Sequence, residues 1–125
     1  MENKILVAED SATTRASVKY VLTQAGYEII VANDGADGLR KFEELAESGD
    51  DIVLIITDIQ MPKSDGIRFM QAVKQGSYAA VPVLVLIKNS MKFCEPAARK
   101  AGAAGWLVKP FQPAQLLAVV KRLTE

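Results

Sequence analysis

Two unbroken aliphatic runs, at residues 52–56 and 83–87, constrain this chain more than any other feature. A strand with one wet face alternates apolar and polar residues. A strand with no polar position is covered on both faces, as in a parallel sheet between two helical layers. Three more short apolar runs lie at 5–8, 29–32 and 106–108. The run at 29–32 is the weakest and predicts an edge strand.

The intervening segments carry a helical period. Val18, Val21, Leu22 and Ala25 follow the i, i+3, i+4, i+7 pattern, as do Leu116, Val119, Val120 and Leu123. Leu39, Phe42 and Ala46 predict a second helix, Phe69, Met70 and Val73 a third, and the Ala-rich stretch 97–101 with Arg99 and Lys100 a fourth. Gly26, Gly49, Gly76 and Gly102 fall where these helices should stop, the usual place for a left-handed cap. Pro113 suits a first helical turn. Strand and helix thus alternate five times, which predicts an α/β fold: a parallel sheet, right-handed crossovers and helices on both faces. In such sheets the functional crevice lies at the carboxyl ends of the strands.

Composition removes many chemistries. The 125 residues have the length of one domain. With no histidine there is no His-based triad, general base or metal site, and Cys94 stands alone, which excludes an internal disulfide or a thiolate cluster. Fifteen Lys and Arg offset fifteen Asp and Glu, so net charge gives no reason to expect nucleic acid or a membrane as partner. The sequence has no signal peptide and no apolar stretch of about 20 residues. A single cytoplasmic domain is expected, with nothing after the last helix to serve as an output domain.

The first strand runs into Glu9 and Asp10, the third into Asp58, and the fifth into Lys109. One acid at a strand end is ordinarily a solvated loop residue or a helix cap. Three acids and a lysine on three strand ends of one sheet form a constellation. The acids repel one another, more so when buried, and a divalent cation relieves that; an all-oxygen ligand set favours Mg²⁺. A carboxylate beside Mg²⁺ and a lysine can take a phosphoryl group as an acyl phosphate, while both cations neutralise the transferring oxygens.

These residues stand in longer motifs: Ile5-Leu6-Val7-Ala8-Glu9-Asp10-Ser11, Thr57-Asp58-Ile59-Gln60-Met61-Pro62 with Asp65-Gly66, and Ala101-Gly102-Ala103-Ala104-Gly105-Trp106-Leu107-Val108-Lys109-Pro110-Phe111. Together they resemble the receiver domain of two-component response regulators over essentially the whole chain, 1–125. The stretch from Trp106 to Ala114 is similar to single-domain chemotaxis regulators. The resemblance implies a flavodoxin-like sheet in strand order 2-1-3-4-5. It implies Asp58 as acceptor of phosphate from a histidine kinase, and Lys109 as partner of the phosphoryl group. It implies Mg²⁺ held by Glu9, Asp10, Asp58 and the backbone carbonyl of Gln60, and a cis peptide before Pro110. Glu9 is one methylene longer than the Asp more usual there, which would shift the metal slightly. The implied protein is a phosphoprotein of a phosphorelay, not an enzyme with a turnover substrate. Its downstream target would be a protein such as the flagellar motor or a phosphatase. A monomer is expected, with a dimer through the fourth helix, fifth strand and fifth helix as the alternative.

The fourth strand departs from the pattern. Where the family has a Thr or Ser hydroxyl and then a small residue, this chain has Ile87 and Lys88. In the family the hydroxyl bonds the phosphoryl oxygen and a ring on the fifth strand, here Trp106, moves into the vacated space. Ile87 cannot donate that bond, and its branched side chain fills volume the indole would need. Trp106 is therefore expected outward, at the surface. Lys88 is either a solvated loop charge or a second cation over the site. Pro96 predicts a fourth helix starting near Glu95, after a loop over 88–94 that exposes Met91 and Phe93 unless they fold back. Asn89 or Ser90 could supply a substitute polar contact.

Three functions remain distinct. One is a phosphoacceptor switch with altered output coupling. Another is a phosphate sink or a partner-binding module indifferent to phosphate. The third is a small aspartyl phosphatase, disfavoured because Gln60 stands where such enzymes place their second acid. A flavin carrier lacks the expected phosphate-binding loop after the first strand.

Overall fold

The computed structural model describes residues 3–59, 66–76 and 78–125. Its elements follow in the order β1 (Lys4–Ala8), α1 (Ala12–Gln24), β2 (Glu28–Ala32), α2 (Gly35–Glu47), β3 (Ile52–Asp58), α3 (Gly66–Lys74), β4 (Val83–Lys88), a 3-10 helix (Asn89–Cys94), α4 (Glu95–Lys100), β5 (Gly105–Lys109) and α5 (Pro113–Thr124). The strands are parallel throughout and stand in the order β2-β1-β3-β4-β5, so the weak run at 29–32 is indeed an edge.

Alternation along each strand divides the core in two. Ile5 and Val7, Leu54 and Ile56, and Leu84 and Leu86 pack with Val18 and Leu22 of α1 and Leu116 and Val120 of α5. Leu6 and Ala8, Ile55, and Val83, Val85 and Ile87 pack with Phe42 of α2, Phe69, Met70 and Val73 of α3, and Ala98 of α4. The lack of polar positions in β3 before Thr57 and in β4 before Lys88 follows from this: each face of the sheet is a core.

Local chemistry sets the helix ends. Ser11 Oγ accepts from Thr14 N–H at 3.3 Å at the start of α1, and Asp34 Oδ1 from Asp37 N–H at 2.8 Å at the start of α2. Gln112 and Gln115 form a reciprocal box before α5, with Pro113 in the first turn as expected. Gly26, Gly49 and Gly102 take φ of 100°, 70° and 109°, as expected of caps that only glycine fits without strain. Gly76 does not adopt that conformation. There the Lys74 ammonium ties the chain instead, donating to Ala79 O and Val81 O at 3.0 Å each.

The loop expected over 88–94 is also corrected. After Lys88 the chain coils directly into the 3-10 helix, kinked at Met91 (φ −112°, ψ 17°). The kink lets Met91 pack against the core, while Phe93 stays 73% exposed. α4 begins at Glu95 with Pro96 in its first turn, as the sequence predicts. Among the described residues, no helix is long and apolar enough to cross a membrane.

Gly38 lets α2 sit close on β1: an added Cβ would lie 3.1 Å from Ala8 Cβ and 3.6 Å from the Phe69 ring. Better helix propensity would gain Gly38→Ala up to about 1 kcal/mol, but crowding a fixed central strand costs about 1–3 kcal/mol. We expect a net loss in thermal or urea unfolding. A stabilised variant would refute the close-packing account.

Candidate phosphoryl-transfer site

The polar residues at the carboxyl ends of β1, β3 and β5 meet at one rim. Glu9 follows β1 and is fully buried, Asp58 ends β3 and is 3% exposed, and Asp10 is exposed. One carboxylate oxygen from each of these three lies within 4.8 Å of the others. Lys109, the last residue of β5, reaches between them: its Nζ is 2.7 Å from Glu9 Oε1 and 2.8 Å from Asp58 Oδ1. The peptide that follows, Lys109–Pro110, is cis.

The backbone fixes these groups. Glu9 N–H donates to Ala32 O at 3.0 Å, and Ile59 N–H to Leu86 O at 3.1 Å, extending the sheet past the residues that carry the acids. Ser11 N–H donates to Glu9 Oε2 at 2.9 Å, and Arg15 Nη1 donates to Glu9 O at 2.8 Å. The buried Thr57 hydroxyl is satisfied by Asp58 O at 3.0 Å.

Charge balance within the rim is uneven. Burial, then the neighbouring Glu9 carboxylate, pushes the Asp58 carboxyl up to about 9, although Lys109 pulls the other way. Burial acts to lower the pKa of Lys109, but the Asp58 and Glu9 carboxylates outweigh it and hold it above the ordinary lysine value. Burial works upward on Asp10 as well, yet hydrogen bonds with Asp58 and Glu9 and the charge of Lys109 keep it below the usual carboxylate range. Glu9 Oε1 and Asp58 Oδ2 are buried; among the described residues Asp58 Oδ2 has no hydrogen-bond donor, and Glu9 Oε1 has only the Lys109 ammonium, 2.7 Å away. A hard cation is what such oxygens lack, so the donor set fits Mg²⁺. Gln60, whose carbonyl was expected among the ligands, lies outside the described residues, as do Met61, Pro62 and Asp65 of the same motif. Beside Lys109 a cleft of about 430 Å³ opens between Thr13, Thr14 and Ser17 of α1 and Pro110 and Phe111.

The three residues expected to couple this rim to a surface lie on β4 and β5. Ile87 is fully buried in the α2–α3–α4 core, and Lys88, paired in register with Lys109, is exposed. Trp106, paired with Val85, is only half outward: it is partly buried and packs against the core that holds Ile87. Sequence reasoning missed its other neighbour. The Arg99 guanidinium lies 4.8 Å from the centre of the Trp106 ring. The pair of a basic residue on the fourth helix and an aromatic on an edge strand was a weak signal, because helix register over the strand cannot be read from spacing.

Beyond the rim, charge is unevenly spread, although Arg40 and Lys41 lie on the acid-rich α2 and Glu95 on the base-rich α4. Residues 1–82 carry thirteen acids and eight bases, residues 83–125 two acids and seven bases. Exposed Glu28, Glu43, Glu44 and Glu47 lie on β2 and α2 at one edge of the sheet, whereas exposed Lys88, Lys92, Arg99 and Lys100 lie from β4 to α4 at the other.

Comparison with known proteins agrees with this geometry. Residues 5–121 match the response regulator receiver domain. The chain is 33% identical over 123 residues to the alkaline phosphatase synthesis transcriptional regulatory protein PhoP of Bacillus subtilis, covering 98% of this chain and 49% of PhoP. It is 36% identical over 114 residues to the chemotaxis protein CheV3 of Helicobacter pylori, covering 86% of this chain and 37% of CheV3. It thus spans half or less of these two relatives. The structure of the chemotaxis response regulator CheY4 of Vibrio cholerae superposes with a TM-score of 0.87 at 35% identity, over 98% of this chain and 99% of CheY4. The strands and their order are those of a two-component, chemotaxis-like receiver, and the chain belongs to the response regulator receiver domain family.

Proposed function

We propose that this chain is a phosphoacceptor of a two-component chemotaxis pathway, acting in the cytoplasm as a single receiver domain that takes phosphate from a histidine kinase onto Asp58. The observation that carries the reading is Asp58 buried between Glu9 and Lys109, with Oδ2 left without a donor among the described residues. A carboxylate oxygen of Asp58 attacks phosphorus, the nitrogen–phosphorus bond of the phosphohistidine breaks, and the leaving imidazole nitrogen takes a proton. The product is an acyl phosphate on Asp58. Glu9, Asp10 and Asp58 would hold Mg²⁺, with the Gln60 carbonyl as the further ligand the family pattern implies, and the ion would supply positive charge for the transferring oxygens. Lys109 moves from Asp58 to the incoming phosphoryl oxygen, and Glu9 keeps the ammonium at the rim. The cleft beside Lys109 leaves room for the donor. No histidine and no second acid at position 60 stand ready for turnover of a separate substrate, so the chain acts as acceptor rather than enzyme.

Ile87 favours weakened output. It is buried where a hydroxyl would link the phosphoryl group to β4, and it has nothing to donate. A phosphate sink, or a partner-binding module insensitive to phosphate, is the second reading.

Two measurements test the site. With a phosphoramidate and Mg²⁺, intact mass should rise by one phosphoryl group; chelation or Asp58→Asn should abolish the gain. Labelling of Asp58→Asn at wild-type stoichiometry would move the acceptor elsewhere. The second measurement is stability against pH without metal. Because the folded value for Asp58, about 9, lies above its unfolded value of 3.8, the fold favours the neutral carboxyl. That contribution is complete below about pH 4 and is lost as pH rises towards 9. Asp58→Asn should therefore gain on wild type with rising pH, by about 1–2 kcal/mol or roughly 5 °C near pH 8, and Mg²⁺ should narrow the gap. A gap that stays constant from pH 5 to 9 would contradict the assigned electrostatics.

A further inference from the structure

We propose that Arg99 is a positioning residue for Trp106: its guanidinium latches the indole from α4, so the seat of the ring is set from the helix side as well as by the core beneath it. The inference rests on the phosphoacceptor reading only for what the latch would regulate; the latch itself stands on the geometry.

β5 is an edge strand, so no neighbouring strand covers the outer flank of Trp106. Beneath it lies the core that includes Val85, Ile87 and Ala98. Over it lies Arg99, 4.8 Å from the ring centre and exposed to solvent on its own side. A guanidinium at that distance is attracted by the negative face of the indole and also shields it from water. α4 has only six residues and follows a kinked 3-10 helix, so helix propensity does little to fix its register over β5. Ala98, fully buried next to Arg99, pins the helix to the sheet, and Arg99 then ties that pinned turn to the strand.

Ile87 and Arg99 therefore act on one ring from two sides. Ile87 fills the interior and offers no polar atom, so the phosphorylation rim has no hydroxyl on β4 through which to draw the ring inward. Arg99 opposes the same inward movement from outside, because the indole must leave the guanidinium to make it. Restoring a hydroxyl at position 87 should free only one of the two constraints.

Trp106 is the sole tryptophan, so its emission reports the ring without ambiguity. Fluorescence anisotropy and acrylamide quenching would be compared for wild type, Arg99→Ala, Arg99→Gln and Arg99→Lys, first without phosphodonor. The latch requires lower anisotropy and stronger quenching in the Ala and Gln variants, with Lys intermediate. The same readouts would then follow a phosphoramidate and Mg²⁺ in Ile87→Thr and in Ile87→Thr with Arg99→Ala. The double variant should populate the shifted ring about two- to five-fold more than Ile87→Thr alone, the range expected from an exposed cation–π contact. Intact mass read on every sample separates the two ideas. Absent labelling overturns the phosphoacceptor reading and leaves the donor-free comparison to decide the latch. Unchanged anisotropy and quenching in both Arg99→Ala and Arg99→Gln overturn the latch whatever the labelling. An equal phosphoryl response with and without Arg99 in the Ile87→Thr background overturns its opposition to the inward movement.

Discussion

A parallel sheet buried on both faces leaves polar side chains almost nowhere but the ends of its strands. β3 and β4 place aliphatic residues towards both helical layers, and within them only Thr57 and Asp58, at the end of β3, break the apolar sequence before Lys88. Parallel pairing then sends every carboxyl end to the same rim, so acids distant in sequence are brought together by topology. The energetic consequence is severe: a fully buried Glu9 and a nearly buried Asp58 face one another. Lys109 compensates by contacting both, yet among the described residues Asp58 Oδ2 is left without a donor. The crowding that raises Asp58 is also what makes the rim receptive to a cation.

This logic explains how much could be read from the sequence. The unbroken runs at 52–56 and 83–87 implied a two-faced sheet, and the weak run at 29–32 lies at its edge. Glu9, Asp10, Asp58 and Lys109 could be picked out because strand ends are defined by where aliphatic residues stop. The failures occur where tertiary contacts overrule local signals. Gly76 looked like a cap, but Lys74 ties the turn with two hydrogen bonds to carbonyls further along. Residues 88–94 read as a loop, since Pro96 sets the start of the next helix near Glu95; the core draws Met91 inward and the chain coils to allow it.

Trp106 illustrates a subtler limit. Ile87, standing where a hydroxyl was expected, suggested an indole lying outward at the surface, and the structure meets that only halfway. The ring lies against the core while the exposed Arg99 places its guanidinium 4.8 Å from the ring centre. Composition gives the two residues but not their meeting, which depends on Ala98 setting the rotation of a six-residue helix.

The separation of charge across the sheet gives the molecule a sense of direction. With acids in excess on β2 and α2, where Arg40 and Lys41 offset part of them, and bases in excess from β4 to α4 despite Glu95, a chain of zero formal net charge still carries a dipole along the sheet's width. An acidic body drifting near it exerts a torque that turns the β5 edge forward before any atoms touch, whereas a basic body turns the opposite edge forward. Neutrality overall avoids long-range attraction to every charged surface, while the dipole retains orientation at close range. Since ions screen such fields over about 8 Å at physiological ionic strength, the torque acts only in the last steps of approach.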